Sequence, residues 1–277
     1  MSRDPRLTLA REDLAADWLE GVVRAARFAR PQPMRTVAPI ASIRRSPDAA
    51  SEQLDQLLFG EIFEVLDSQG DFAWGQARRD GYVGFVETAA LSLPQGDPDR
   101  RIRVPSAFAY AEPSIKSRPF GPLSLNSLVV AGADESGFVD AAAAGWIACV
   151  CLAPIGRFED DPAAVAERFV GAPYLWGGRG SLGLDCSGLI QQALYACGRA
   201  CPRDTDQQIE LGQPAPAAGL RRGDLVFWSG HVGMMLDERR LIHANAHHMA
   251  VAVEPLADAV ARIAEAGAGE PTAYRRL

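Results

Sequence analysis

No histidine occurs before His231 and no cysteine before Cys149, so the first half of the chain cannot supply a thiol–imidazole pair. Any such chemistry must be assembled from the C-terminal part. An excess of basic residues is also missing: 28 Lys and Arg stand against 35 Asp and Glu, a net charge of -7 and a pI near 5.2. Binding to a nucleic-acid backbone needs clustered positive charge to displace counterions, so nucleic acid is not an expected partner. No apolar run approaches the length of a bilayer span, and no membrane association is expected. The opening Met1-Ser2-Arg3-Asp4-Pro5-Arg6-Leu7 lacks the apolar stretch of a signal peptide, which makes the cytoplasm the expected location. Five cysteines, at 149, 151, 186, 197 and 201, are an odd number and unevenly spread, which argues for reduced thiols over a disulfide framework. Cys149 and Cys151 have no second pair with which to close a tetrahedral site, so neither a metal nor any other cofactor is expected.

What is present suits a soluble chain of several modules. Hydrophobic residues make up 48% and charged residues 23% of 277, enough for well-buried cores. Leu14, Trp18, Leu19, Val22, Val23 and Ala26 recur at helical spacing, and the reading expects an amphipathic helix over 11–30, within an N-terminal segment 1–30. After Pro31-Gln32-Pro33 the period shortens to two. Thr36–Ile40, Glu61–Leu66, Phe72–Ala77 and Gly81–Val86 read as strands of a small barrel over 31–95. A weaker copy over 96–156 is carried by Arg101–Val104, Leu128–Ala131, Gly137–Asp140 and Gly145–Ala148, with Cys149 and Cys151 expected as packing thiols at alternating strand positions. The endings Gly84-Phe85-Val86 and Gly145-Trp146-Ile147 are its most repeat-like feature, and both segments resemble bacterial SH3-like domains. Glu159-Asp160-Asp161-Pro162 reads as a helix start, with acidic residues and Pro where the helix dipole and free N–H groups favour them, and opens a last domain over 157–277.

Within that last domain, Cys186 stands where a glycine-rich stretch, Gly177-Gly178-Arg179-Gly180, gives way to the helical spacing of Leu189, Ile190, Ala193 and Leu194. A cysteine at a helix N-terminus gains from the dipole and the unpaired N–H groups, both of which favour the thiolate. Leu225–Trp228, Val232–Leu236 and Leu241–Ala244 read as buried strands, with a turn at Asp237-Glu238-Arg239-Arg240. His231 and His243 then lie on adjacent antiparallel strands, and their even separation puts both rings on one face. His231 is the expected proton acceptor for Cys186, with His243 orienting its ring. His247 and His248 are adjacent and expected at the surface or rim. Cys197 and Cys201 are expected in core packing.

Tyr174-Leu175-Trp176-Gly177-Gly178, Leu184-Asp185-Cys186-Ser187-Gly188-Leu189, Pro202-Arg203-Asp204-Thr205-Asp206-Gln207-Gln208, Gly223-Asp224-Leu225-Val226-Phe227, Gly230-His231-Val232-Gly233 and Leu241-Ile242-His243-Ala244 follow one another in an order that resembles the NlpC/p60 cell-wall peptidases. The resemblance implies an α+β class: a papain-like, circularly permuted catalytic domain preceded by two small SH3-like β-barrels. It also implies a Cys186, His231, His243 triad. The modules ahead of it resemble the group that cuts after D-glutamate in recycled peptidoglycan peptides, L-Ala-gamma-D-Glu-diamino acid, with a free L-alanine amine. The resemblance carries further roles to Tyr174 near the reacting carbonyl, Trp176 and Thr205 lining the pocket, and Asp185 and Ser187 beside the nucleophile. Tyr82 is the candidate tyrosine supplied by the first module. Asp185 can alternatively be a helix cap; as an isolated buried carboxylate it would seek a substrate ammonium. Two other functions remain open: an amidase or acyltransferase of the same superfamily, and an inactive wall-peptide-binding protein.

Overall fold

The computed structural model describes residues 4–277; the Met1-Ser2-Arg3 start, read above for an export signal, lies outside them. The chain forms two compact units, one running to Ile155 and the other from Gly156 onward. No helix among the described residues is long and apolar enough to cross a membrane.

In the first unit, a seven-stranded antiparallel sheet has the spatial order Gln53–Leu58, Ile40–Arg44, Val83–Glu87, Phe72–Ala77, Ile62–Gln69, Gln32–Thr36 and Leu91–Ser92. Alternating side chains such as Ile43, Leu57, Phe63 and Val86 meet in its core. The single strand expected over Thr36–Ile40 is instead a break between two strands, Gln32–Thr36 and Ile40–Arg44, with Pro39 in the break, where no ladder donor is needed. Gln53–Leu58 is a strand that the period-two reading passed over, because Leu57-Leu58 interrupts its alternation.

The expected helix over 11–30 is absent. Leu14–Ala16 is a strand pairing in parallel with Arg27–Ala29, and the only helical turn between them is the 3-10 segment Asp17–Leu19. Gly21 adopts a left-handed φ of +75° that ends any helical run. Leu14, Ala16 and Leu19 bury against Trp74 of the sheet, while Trp18 and Val22 of the supposed apolar stripe are exposed. Contacts with the sheet decided this segment over its local period.

A second β module follows, with strands Pro119–Ser124, Ser106–Tyr110, Trp146–Ala148, Phe138–Asp140 and Asp134–Glu135 in one sheet and Leu128–Val129, Arg100–Ile102 and Leu152–Pro154 in another. Cys149–Cys151 is a 3-10 turn and not the expected strand. The same order, strand, 3-10 turn, short strand, ends the first module at Val83–Glu87, Thr88–Ala90 and Leu91–Ser92. The repeat visible in Gly84-Phe85-Val86 and Gly145-Trp146-Ile147 is thus a repeated chain reversal.

The second unit is α+β. Its six-stranded antiparallel sheet is built from β1 (Gln213–Pro214), β2 (Leu225–Trp228), β3 (His231–Met235), β4 (Arg240–Asn245), β5 (Ala250–Pro255) and β6 (Ala273–Arg276), in the order β1-β6-β2-β3-β4-β5. Helix α1 (Pro162–Glu167) starts as its sequence suggests, the Asp161 carboxylate accepting from the Ala163 N–H at 2.9 Å. Helix α2 (Cys186–Ala196) packs against α1, β3 and β4; the short α3 (Thr205–Gln208) packs on α2; and α4 (Leu256–Glu265) packs on β4 and β5. Ala259 and Ile263 of α4 bury against Val226, Trp228, Met235 and Leu241 of the sheet.

Candidate active site

Cys186 is the first residue of α2, and its N–H is one of the helical donors that the helix itself cannot satisfy. The preceding residue holds this end in place. Asp185 caps α2 through Gly188 N–H at 2.7 Å and also accepts from the Gly177 N–H at 3.0 Å, tying the glycine-rich loop to the helix start. Its charge is not isolated: Arg203, 1% exposed, donates to both oxygens at 3.1 and 2.5 Å. The Ser187 hydroxyl donates to Asp185 at 3.1 Å and accepts from Arg203 at 2.7 Å. Asp185 is therefore a helix cap and one half of a buried ion pair, not the isolated carboxylate expected from the sequence. Arg203 belongs to the Pro202–Gln208 motif, where nothing in residue type or spacing marks it for a buried ion pair. Its position just before the Asp204/Gln207 capping box of α3, with Gln208 Nε2 bonded to the Ser187 carbonyl at 3.0 Å, fixes it against α2.

The thiol, 7% exposed, meets the Gly230 carbonyl at 4.0 Å, and the Val232 N–H also faces the sulfur. Cys186 therefore sits against the backbone on both sides of His231. Burial and the Asp185 charge push the thiol up to about 12, against the opposing pull of the Val232 and Ser187 N–H groups and of Arg203. The sequence reading expected the helix end to lower it. Here desolvation wins and favours the protonated thiol.

His231 and His243 are brought together as their parity requires. Met234 pairs with Ile242 and Met235 with Leu241, and on the shared face His231 Nε2 lies 2.8 Å from His243 Nδ1. His243 is fully buried, and its Nε2 lies 2.7 Å from Glu254 Oε1 on β5. Glu254 in turn pairs with Arg262 of α4. Trp228 flanks His231 with ring centroids 5.7 Å apart. Burial, then the neighbouring His243 and Arg262 charges, push His231 down to about 3. Burial also dominates at His243, pushed down to about 4 although Glu254 pulls the other way. Burial thus favours the neutral form of both rings, in which each keeps one nitrogen without a proton. Glu254 and Arg262 escaped the sequence reading. Glu254 had one signal, the alternation Val251-Ala252-Val253-Glu254 that turns it to the His243 face; Arg262 had none.

Tyr174 stands near Cys186 and Asp185, and burial first, then those two charges, push its hydroxyl up to about 12, so it remains a donor. Leu175 and Trp176, the latter 60% exposed, follow it on an open surface. Thr205, half-buried, opens α3 beyond Arg203. His247 and His248 are exposed, and His248 Nδ1 lies 3.0 Å from Asn245 Oδ1. Tyr82 belongs to the first unit, buried beside Ala77, Val86 and Leu91; a role for it at a substrate amine rests on the resemblance alone. Among the described residues, one group has metal-ligating atoms close together, His243, His248 and Glu254, within 4.8 Å. Both ring nitrogens of His243 already meet His231 and Glu254, so the group reads as a hydrogen-bond relay.

Comparisons with known proteins place the two units among known families. The NlpC/P60 family profile matches residues 171–263, and that of the bacterial dipeptidyl-peptidase Sh3 domain matches residues 43–91. The chain is 27% identical to a gamma-D-glutamyl-L-lysine dipeptidyl-peptidase of Bacillus subtilis (strain 168), over 68% of this chain and 71% of that one. It is 26% identical to a dipeptidyl-peptidase 6 of Lysinibacillus sphaericus, over 76% of this chain and 86% of that one. A crystal structure of an NlpC/P60 family protein from Bacillus cereus shares the fold with a TM-score of 0.76 at 19% identity, covering 88% of this chain and 99% of the other. A thiol at a helix start, a histidine relay on the adjoining strands and these matches together identify a cysteine peptidase with an NlpC/P60 domain behind a bacterial dipeptidyl-peptidase SH3 domain.

Proposed function

We propose that the chain hydrolyses the gamma-D-glutamyl-L-diamino acid bond of small peptidoglycan peptides whose L-alanine amine is free, as a step in recycling cell-wall fragments in the cytoplasm. The observation that carries the chemistry is the Cys186 thiol at the start of α2, set against the backbone that bears His231. The substrate class is supported by relatives that match across both units, one named a gamma-D-glutamyl-L-lysine dipeptidyl-peptidase and another dipeptidyl-peptidase 6. The odd number and uneven spread of the five cysteines support a reducing location.

The resting thiol leans on the Gly230 carbonyl, so the first step turns the sulfur toward the His231 ring, the kind of tightening expected when substrate fills a site. Sγ attacks the gamma-carbonyl carbon of D-glutamate and its proton passes to His231. The oxyanion lies at the N-terminus of α2, where the Cys186 N–H and the neutral Tyr174 hydroxyl donate to it. Collapse breaks the C–N bond, and His231 returns the proton to the departing amine of the diamino acid. A water molecule, deprotonated by His231, then opens the thioester, releasing L-Ala-gamma-D-Glu and restoring the thiol. The Asp185–Arg203–Ser187 network serves this chemistry by holding the nucleophile's helix end, the loop that carries Trp176, and α3 in one block.

Mass spectrometry of digests of L-Ala-gamma-D-Glu-L-Lys and its diaminopimelate counterpart tests the reading. The expected products are the dipeptide and the free diamino acid, with no cleavage by Cys186→Ala and none of the N-acetylated peptide. Cleavage of acetylated and free peptides at equal rates would remove the amine requirement, and cutting at another bond would overturn the assignment.

A further inference from the structure

The relay behind His231 is longer than a triad. Its proton positions follow from the chemistry of its far end. Burial works against the Glu254 charge, but Arg262 and His243 outweigh it and hold the carboxyl below its usual range, so Glu254 is an acceptor with no proton to give. His243 Nε2, 2.7 Å away, must therefore be the N–H. A neutral ring carries one proton, so His243 Nδ1 is the bare nitrogen. It can only accept, and the hydrogen across the 2.8 Å contact belongs to His231 Nε2. His231 Nδ1 is then left without a proton.

We infer that Glu254, held by Arg262, is the positioning residue that dictates which nitrogen of each imidazole is protonated and thereby makes His231 Nδ1 the base for the Cys186 thiol. The inference rests on the peptidase reading for its kinetic consequence but not for the proton positions themselves. The groups that face His243 are His231 from β3, Glu254 from β5, Arg262 from α4 and His248 from the loop after β4. Of these only Glu254 is anionic, and no other residue in the set can impose the Nε2–H form. When His231 takes the thiol proton, the new positive charge is linked through one neutral ring to the Glu254 carboxylate. Arg262 fixes the carboxylate in place, and α4 thus acts on the reaction without touching it. A bare polar contact in a core would be indifferent to the direction of the donors; this chain of three hydrogen bonds has only one consistent direction.

Nitrogen-15 spectra of histidine-labelled protein read the protonated nitrogen of each ring without any substrate. The wild-type chain is expected to show both His231 and His243 in the Nε2–H form, and Glu254→Ala to show a mixture at both. Glu254→Gln keeps an acceptor oxygen of nearly the same shape but removes the charge, so kcat is expected to fall on the order of 10- to 100-fold with KM within about twofold. Glu254→Asp is expected to recover part of that loss. An Nδ1–H form of His243 in the wild-type protein, or a Glu254→Gln enzyme with unchanged kcat and folding, would overturn the inference. Failure of the wild-type enzyme to cut any peptidoglycan peptide would sink the function reading instead and leave the tautomer result standing.

Discussion

Asp185 illustrates how one side chain can hold an active site together without reacting. Its two oxygens receive the Gly177 and Gly188 N–H groups, the Ser187 hydroxyl and both arms of Arg203. Because the pair is buried, removal of one partner strands the other charge in a poorly solvated place. Arg203→Ala is expected to destabilise the second unit by about 3–5 kcal/mol, read as a lower urea midpoint, whereas Arg203→Ala combined with Asp185→Asn should recover part of that loss. A midpoint that hardly moves in the single variant would show the pair to be dispensable. At His231 the expectation is kinetic: under the proposed mechanism His231→Ala removes the base and leaves the oxyanion donors, so kcat should fall by at least about 10³-fold, measured on folded protein with a peptide that the wild-type enzyme cleaves. The helix-start position of Cys186 and the meeting of His231 with His243 were legible in the sequence, because local periodicity and an even separation about a turn fix them. Arg203, Glu254 and Arg262 were not, since arginine and glutamate are ordinary surface residues until a fold surrounds them.

At the level of elements, the first turn of α2 is the most constrained piece of the second unit. A Cβ placed on Gly188 would come within 2.2 Å of the Gly178 carbonyl and 3.0 Å of Asp185 Oδ1. Neither neighbour can yield cheaply, one being backbone and the other the helix cap. Gly188→Ala is therefore expected to push the helix start off the 177–180 loop, costing about 1–3 kcal/mol and lowering kcat/KM more than the stability loss explains. Thermal melting set beside kinetics on folded protein measures the two effects, and an alanine variant with normal activity would show that the close approach does not matter. Elements with strong local signals, α2 and the strands β2, β3 and β4, were visible in the sequence to within a residue or two. The segment 11–30 was not, because its helical period of apolar residues is a coincidence that packing against Trp74 and the left-handed Gly21 override. Cys149–Cys151 was misread for a related reason: two residues of alternation cannot distinguish a strand from the turn that ends one.

For the whole molecule, the buried thiol and imidazoles of the candidate site set a pH window for stability. His231 and His243 have folded values depressed to about 3 and about 4, below the ordinary 6.5 of an exposed imidazole. Between those limits the unfolded chain binds protons that the folded chain refuses, so stability falls as pH drops from about 6.5 toward 4. Cys186 acts at the other end, its folded value raised from 9.0 to about 12. Above pH 9 the unfolded thiol ionises while the folded one does not, and stability falls as pH rises. Melting temperature followed from pH 4 to 10 should be flat near neutrality and decline on both sides. The acid decline should be shallower in His231→Asn and the alkaline one in Cys186→Ala; identical profiles in all three proteins would refute the assignment. The sequence by itself determined the class of chemistry, the order of the elements and the residues able to react, because those depend on residue type, spacing and local periodicity. Only the tertiary structure decided which way burial and neighbours push each titrating group and which side chains line up behind His231. Those depend on how deeply each group is buried and on which distant side chain meets it, and neither is written in any short stretch of sequence.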